Sequence, residues 1–280
     1  MSGLRDLFRT KTEADRAELA LHAAQCVVKA HQHLAGWLRP GMTLGRVDAE
    51  VASLLAKQGC VSAFKGYKAG RHPPFPSHAC LSVNACVVHG TAASLDRPLQ
   101  PGDLLKIDIG VRYKGMIGDA AWTYCFDEPT PLVRRLMDCG KESLRRGCAM
   151  LTPRHIWLDW ARTVQGYVEG ECGFHLVRGL GGHGYGHNKL HDAPFVSNVV
   201  PDSPGDWPEA TERCAPGTLV AVEPMLCSGT SRTVCHGNAW PVFSADGSPT
   251  VHYEHDVLVT EVGPRILTQG LDDLSDVIAC

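Results

Sequence analysis

The chain has 280 residues, with 27 Lys and Arg against 30 Asp and Glu, a formal net charge of −3 and no basic block. That balance excludes nucleic acid and anionic membrane as partners attracted through charge. A hydrophobic content of 44% with 29 glycines and 18 prolines suits a compact α/β or α+β protein and excludes a disordered one.

Residues 12–38 carry Ala20, Ala23, Ala24, Val27, Ala30 and Leu34 at helical spacing, and Thr12 with Asp15 reads as a capping box. After Pro40-Gly41, Thr43 caps a second helix with Val47, Val51, Leu54 and Leu55 on one face and Gly59 as its stop. The stretch 61–78 reads as loop, running through Gly66 and Gly70 into His72-Pro73-Pro74-Phe75-Pro76. Strand character returns at Leu81-Ser82-Val83-Asn84 and Val87-Val88-His89, then after a Pro101-Gly102 turn in the run from Leu104 to Val111. Helical segments follow at roughly 131–150 and 155–170, and short strands alternate with glycine turns up to a last strand over Val251–Val259. Without a linker, a low-complexity tract or a repeat, one domain over 1–280 is expected, opening on the helical segment at about 12–38.

Acidic residues normally sit where water solvates them, and a carboxylate inside an apolar strand loses that water at a cost of several kcal/mol. In Leu105-Lys106-Ile107-Asp108-Ile109-Gly110-Val111, alternation puts Leu105, Ile107, Ile109 and Val111 on one face and Asp108 on the other. The chain turns near Tyr113-Lys114-Gly115 and returns through Gly118-Asp119. A two-residue loop at Tyr113-Lys114 pairs 108 with 119 directly, their Cβ atoms about 5 Å apart. Moving the loop to Lys114-Gly115 leaves them diagonal on one face, and a plain three-residue loop puts them on opposite faces. His183 lies in a glycine run, Glu223 closes the strand Leu219–Val222 ahead of Pro224, and Glu254 falls inside the last strand. Four carboxylates and one imidazole suit manganese, iron, cobalt or zinc, and their charge calls for two ions. Two such ions about 3.5–4 Å apart activate a water as hydroxide at neutral pH, and that chemistry is hydrolysis.

The ordered set Pro40-Gly41-Met42-Thr43, Ser82-Val83-Asn84 with Val88-His89-Gly90, Leu99-Gln100-Pro101-Gly102-Asp103, Ile107-Asp108-Ile109 with Gly118-Asp119, Gly182-His183-Gly184, Val222-Glu223-Pro224-Met225 and Tyr253-Glu254-His255 resembles the type I methionine aminopeptidases of the pita-bread metallopeptidase family over nearly the whole chain. The resemblance implies an α+β pita-bread fold: two pseudo-symmetric halves forming a curved antiparallel sheet, helices outside, metals inside. It implies that Asp108 and Asp119 hold one ion, Asp119 as the bidentate member. Asp108 and Glu254 would bridge both ions, and His183 with Glu223 would complete the other. It matches His89 to a histidine that contacts substrate near the scissile amide and His191 to one that steadies the developing oxyanion. Glu223 is matched also to proton transfer. Cys80 and Trp240 match positions around the methionine side chain, with Leu190 near them, and a sulfur-and-aromatic pocket suits a thioether.

The chain departs from the family at three places. His183 to His191 carries one extra residue, so His187 competes with His191 for the substrate role; the Asp192-Ala193-Pro194 that follows favours His191. The usual Tyr-His-Gly-Phe-Pro loop is replaced by residues 67–76, and Asn84-Ala85 stands for Asn-Glu or Asn-Asp. The expected activity is release of N-terminal methionine ahead of a small residue, from nascent polypeptides, by a monomer in the cytoplasm, with the ribosome a candidate partner. The opening Met1-Ser2-Gly3-Leu4-Arg5-Asp6 has no long apolar run, and twelve cysteines without a Cys-x-x-Cys pair agree with that compartment. Two rivals share the fold. A proline-specific (Xaa-Pro) peptidase usually carries an extra N-terminal domain, and only about 40 residues precede Pro40 here. A non-catalytic pita-bread binding protein loses ligands that this chain keeps.

Overall fold

The structure, a computed structural model, describes residues 13–279. Helix α1 spans Glu13–Trp37 and buries Ala20, Ala23, Ala24, Val27, Ala30 and Leu34 completely; the Thr12 cap lies outside the described residues. Helix α2, Leu44–Lys57, starts where the Thr43 side chain accepts the Arg46 N–H, and its buried face is Leu44, Val47, Val51 and Leu55. Helix α3 is Pro131–Cys148, capped by Thr130. The expected helix at 155–170 is α4, Trp157–Gln165, which then widens into a π-helical stretch over Gly166–Glu171.

A five-stranded sheet is built on the hairpin of Leu104–Tyr113 and Met116–Phe126. Cys80–Val83 and the two-residue strand Val61–Ser62, in a stretch read as loop, both pair antiparallel to Leu104–Tyr113. Val277–Ile278 runs parallel to the end of Met116–Phe126. The hairpin has a face of Leu105, Ile107, Ile109, Val111, Trp122 and Tyr124 buried in the main core with α1 and α2, which is the face that alternation assigns to the apolar residues. Its other face is buried too, and there the carboxylates stand.

The second five-stranded sheet has the order Gly263–Ile266, His255–Thr260, Leu219–Val222, Gly181–Gly186, Lys189–Ser197, antiparallel throughout. Two small three-stranded sheets complete the fold, one with Thr250–His252, Met225–Cys227 and His175–Leu176, the other with Thr233–Cys235, Val242–Ser244 and Cys86–Val88.

The last strand corrects an expectation. It is not continuous over Val251–Val259 but splits into Thr250–His252 and His255–Thr260, leaving Tyr253-Glu254 outside the ladder. Its partner breaks at the same level, between Val222 and Met225. His255 pairs with Val222 and Met225 with His252, so register is kept across the gap and Glu223 faces Glu254. The cause is chemical: Pro224 has no N–H for the ladder, and the Glu254 N–H turns away to donate to the Ala121 carbonyl at 2.9 Å. Among the described residues no helix is long and apolar enough to cross a membrane.

Candidate functional site

The hairpin turns at Lys114-Gly115, with φ of 47° and 85°, the pair of left-handed residues that a tight two-residue loop with the right twist needs. Asp119 therefore pairs with Gly110, and Asp108 with Ala121. The two carboxylates lie diagonally on one face, the second of the loop alternatives read from the sequence. Cys80 stands opposite Asp108 on the neighbouring strand. Oδ1 of Asp108 and Oδ1 of Asp119 are buried and have no hydrogen-bond partner. A buried anion is not left so without a compensating charge.

The paired break brings the second set. Glu254 is 2% exposed and lies across from Glu223. His183 sits mid-strand between Gly182 and Gly184, where a β-carbon would overlap the carbonyl oxygens of Ala221 and Ala193 respectively; only glycine lets three strands close around the imidazole. His183 Nδ1 lies 3.1 Å from the Gly184 carbonyl. Donating there leaves Nε2 with a lone pair aimed at Asp119 Oδ2, 3.9 Å away, and Glu223 Oε1, 4.0 Å away. Ligand atoms of Asp119, His183 and Glu254 lie within 4.8 Å of one another, as do those of Glu223, His252 and Glu254. Asp108 belongs to neither triplet but lines the same cavity. Orphaned buried oxygens and a lone-paired imidazole in an oxygen-rich set fit hard or borderline divalent cations.

The electrostatics agree. Burial pushes the Asp108 carboxyl up to about 6 and Glu223 up to about 8. Burial and then the neighbouring carboxylates push Asp119 and Glu254 well above the carboxylate range. Burial pushes His183 down to about 3 and His89 and His252 to about 4. So many mutually repelling acids, with neutral imidazoles among them, make a site that a divalent cation would relieve.

The carboxylates floor a cavity of about 210 Å³ walled by Phe64, Tyr67, Phe75, Cys80, Leu190 and Trp240. A wider cleft of about 570 Å³ adjoins it, and His89, His183, His191 and Glu223 line both. His89 holds a left-handed φ of 58°, a strained backbone that the Gly90 N–H to Ser82 Oγ bond (3.0 Å) helps hold. The His183 and His191 rings are 4.3 Å apart. His187 lines neither cavity: it bridges to Met116 and packs against Gly115 on the hairpin turn. The extra residue is absorbed as register shifts between His183 and Gly186. The 67–76 segment folds over Trp240, whose Nε1–H donates to the Pro73 carbonyl at 2.7 Å while His72 stacks on the indole at 4.6 Å.

Sequence reasoning missed several participants. His252 is 2% exposed and its Nε2 lies 3.1 Å from Glu223 Oε2; its signal was the two-residue spacing from Glu254. Asp256 is fully buried and its Oδ2 accepts the Asp119 N–H at 2.8 Å, following the same spacing. Asn198 donates to the Glu223 carbonyl freed by the break, at 2.9 Å, and Trp160 donates to Asn198 at 3.3 Å; no local pattern marks either.

A model of metallopeptidase family M24 matches residues 18–261. Methionine aminopeptidase 1 of Bacillus subtilis (strain 168) is 33% identical over 247 residues, covering 88% of this chain and 94% of that protein. A crystal structure of a methionine aminopeptidase from Thermotoga maritima superposes with a TM-score of 0.82 at 32% identity, covering 93% of this chain and 98% of that one. An Xaa-Pro dipeptidase from Bacillus anthracis superposes with a TM-score of 0.72 at 22% identity, covering all of this chain and 67% of that one; at that identity the likeness is one of fold. The architecture is the pita-bread fold.

Proposed function

We propose that this chain, which belongs to metallopeptidase family M24, is a metal-dependent aminopeptidase that removes N-terminal methionine when a small residue follows. The observation that carries the reading is the buried cluster of Asp108, Asp119, His183, Glu223 and Glu254 flooring a small pocket of sulfur and aromatic groups. The likeness to proteins named methionine aminopeptidase along most of both chains supports it. The Xaa-Pro alternative rests on fold alone.

Asp108 and Asp119 would hold one divalent ion and His183 and Glu223 the other, with Asp108 and Glu254 between them; two ions suit the charge of four carboxylates. Bound ions of this kind supply Lewis acidity and lower the pKa of water. The chain's residues do the rest. Cys80, Trp240 and Leu190, in the lining of the small cavity, would surround the thioether with sulfur and apolar groups. His89 and His191, at the junction of pocket and cleft, would contact the scissile amide, His191 by donating to the developing oxyanion. Glu223, which lines both pocket and cleft and has His252 Nε2 3.1 Å from its Oε2, would take a proton from the attacking water and pass it to the leaving amine nitrogen. We read the chain as one catalytic domain. Its substrates would be chains leaving the ribosome in the cytoplasm, and the eleven described cysteines, all free, suit that compartment.

Hydrolysis of Met-Ala-x and Met-Leu-x peptides, before and after a chelator and with manganese, iron, cobalt and zinc restored singly, tests this. Cleavage of the first, loss on chelation and recovery with metal are expected. Equal cleavage of both peptides would contradict the preference for a small second residue, and turnover unaffected by chelation would contradict the metal.

A further inference from the structure

The hydroxyl of Tyr67 lies 2.6 Å from Nδ1 of His191, joining residues 124 apart in the chain. Tyr67 stands at the base of the segment that replaces the expected loop. Its N–H donates to the Phe64 carbonyl and its carbonyl accepts from the Phe75 N–H, each at 2.8 Å. Its ring lies against His191 at 5.2 Å and Trp240 at 6.4 Å between centroids. The far end of the segment is tied to Trp240 through Pro73. The phenol is thus held by backbone, ring contact and a pinned loop, with its oxygen on one particular nitrogen of one particular histidine.

We propose that Tyr67 is a positioning residue that donates its O–H to His191 Nδ1 and so fixes His191 as the tautomer carrying its proton on Nε2. A neutral imidazole has one donor and one acceptor, and the bond made by one nitrogen decides what the other presents. With Nδ1 occupied as acceptor, Nε2–H is the group left to donate to a developing oxyanion. The reverse arrangement would leave a lone pair there, which repels negative charge. Burial pushes the Tyr67 phenol up, so the phenol keeps its proton and remains the donor. The kinetic consequence rests on the aminopeptidase reading above; the tautomer does not.

Two measurements on Tyr67→Phe separate these. Long-range proton–nitrogen NMR of the metal-loaded protein reads the His191 tautomer without any substrate. The wild type should show Nε2 protonated and Nδ1 as a hydrogen-bonded acceptor, and Tyr67→Phe should shift His191 toward a mixture. Protonated Nδ1 in the wild type, or the same tautomer in both proteins, overturns the proposal. In steady-state cleavage of Met-Ala-x, Tyr67→Phe should lower kcat by about 10–100-fold, the range typical for loss of a group that orients an active side chain. KM should change by less than about twofold, because the interaction acts in the transition state. In a His191→Ala background the same substitution should have no further effect on kcat; additive losses overturn the proposal. If the wild type cleaves no methionyl peptide, the aminopeptidase reading fails while the NMR result still decides the role of Tyr67.

Discussion

The hairpin and the paired break both deliver two carboxylates to one cavity, by opposite means. In the hairpin, Asp108 and Asp119 ride on an unbroken ladder from Leu104–Cys125 to Tyr113–Met116, and alternation alone aims them. In the break, Glu223 and Glu254 stand where the ladder is missing, and the freed backbone groups find other partners. Glu254 N–H goes to Ala121 of the hairpin, and the Glu223 carbonyl accepts from Asn198. Two residues on, the Asp256 carboxylate takes the Asp119 N–H. The hairpin therefore positions ligands through a local, self-sufficient element, whereas the break positions them by stitching one sheet to the edge of the other. Site geometry in the hairpin should survive local damage; in the break it is coupled to how the two sheets meet.

The largest effect should follow Glu254→Gln, since Glu254 is the residue common to both groups of converging ligand atoms. The isostere keeps the backbone tie to Ala121 and removes only charge. Metal affinity and turnover should fall by more than the ~10–100-fold typical of a ligand's hydrogen-bonding partners. Asp108→Asn, on the hairpin, should also lose activity and an ion, with the smaller loss of affinity. Without metal the effect reverses in sign: each substitution should raise Tm, because a neutral amide spares the fold the cost of burying a carboxylate among like charges or of protonating it. Titration calorimetry and thermal melts check both halves. Full metal content with retained turnover in either variant would refute that residue as a ligand.

The same contrast governs what could be read beforehand. Asp108 on the hidden face of an apolar strand was legible, because alternation is local and needs only the letters. The loop that sets its register to Asp119 was not, since Tyr113-Lys114 and Lys114-Gly115 both satisfy spacing; the left-handed backbone at Lys114 and Gly115 decides it. Glu254 was read as a strand residue because Val251–Val259 alternates well. The interruption originates in Pro224, thirty residues away, and matters only once the strands pair. His252 was legible in principle, two residues from Glu254, but a lone histidine in a strand carries little weight until Glu223 is seen beside it. The pocket was found where sulfur and indole sit, at Cys80 and Trp240. Tyr67 opens the segment that stands in for the Tyr-His-Gly-Phe-Pro loop, but nothing in the letters joins it to His191, 124 residues on.

A second prediction concerns pH, and separates the acids of the site from the rest of the molecule. Without metal, Glu223 has a folded pKa of about 8 against an ordinary 4.5. A raised pKa gives stability that is fully present below the ordinary value and lost as pH rises through the folded one. His183 and His252, depressed to about 3 and 4 from 6.5, lose stability only as pH falls below 6.5. Between pH 6.5 and about 8 the site thus destabilises the metal-free protein as pH rises, by up to about 1.4 kcal/mol per pH unit for one proton. Lys106 and Cys26, both pushed down to about 7, act in the opposite direction but in both forms alike. The gap in Tm between manganese-loaded and metal-free protein should widen by a few degrees over this range. A constant or narrowing gap would mean that the buried acids are not what the cation relieves.

The smallest effect should come from the hairpin turn, and it tests whether that element is as self-sufficient as its ladder suggests. Gly115 holds φ at 85°, and a β-carbon there would meet the His187 ring. Gly115→Ala therefore strains the backbone and displaces a flexible side chain on the outside of the site, at a cost of about 1–2 kcal/mol. For a chain of this size that is a fall in Tm of roughly 2–8 °C. Asp108 and Asp119 lie four to six residues from the turn, held by rungs from Arg112–Ile117 to Leu104–Cys125, so kcat/KM and metal affinity should stay within about twofold of the wild type. A drop in metal affinity comparable to that of Asp108→Asn would show that the turn sets the carboxylate register. The hairpin would then be no more independent than the break, where position and assembly cannot be separated.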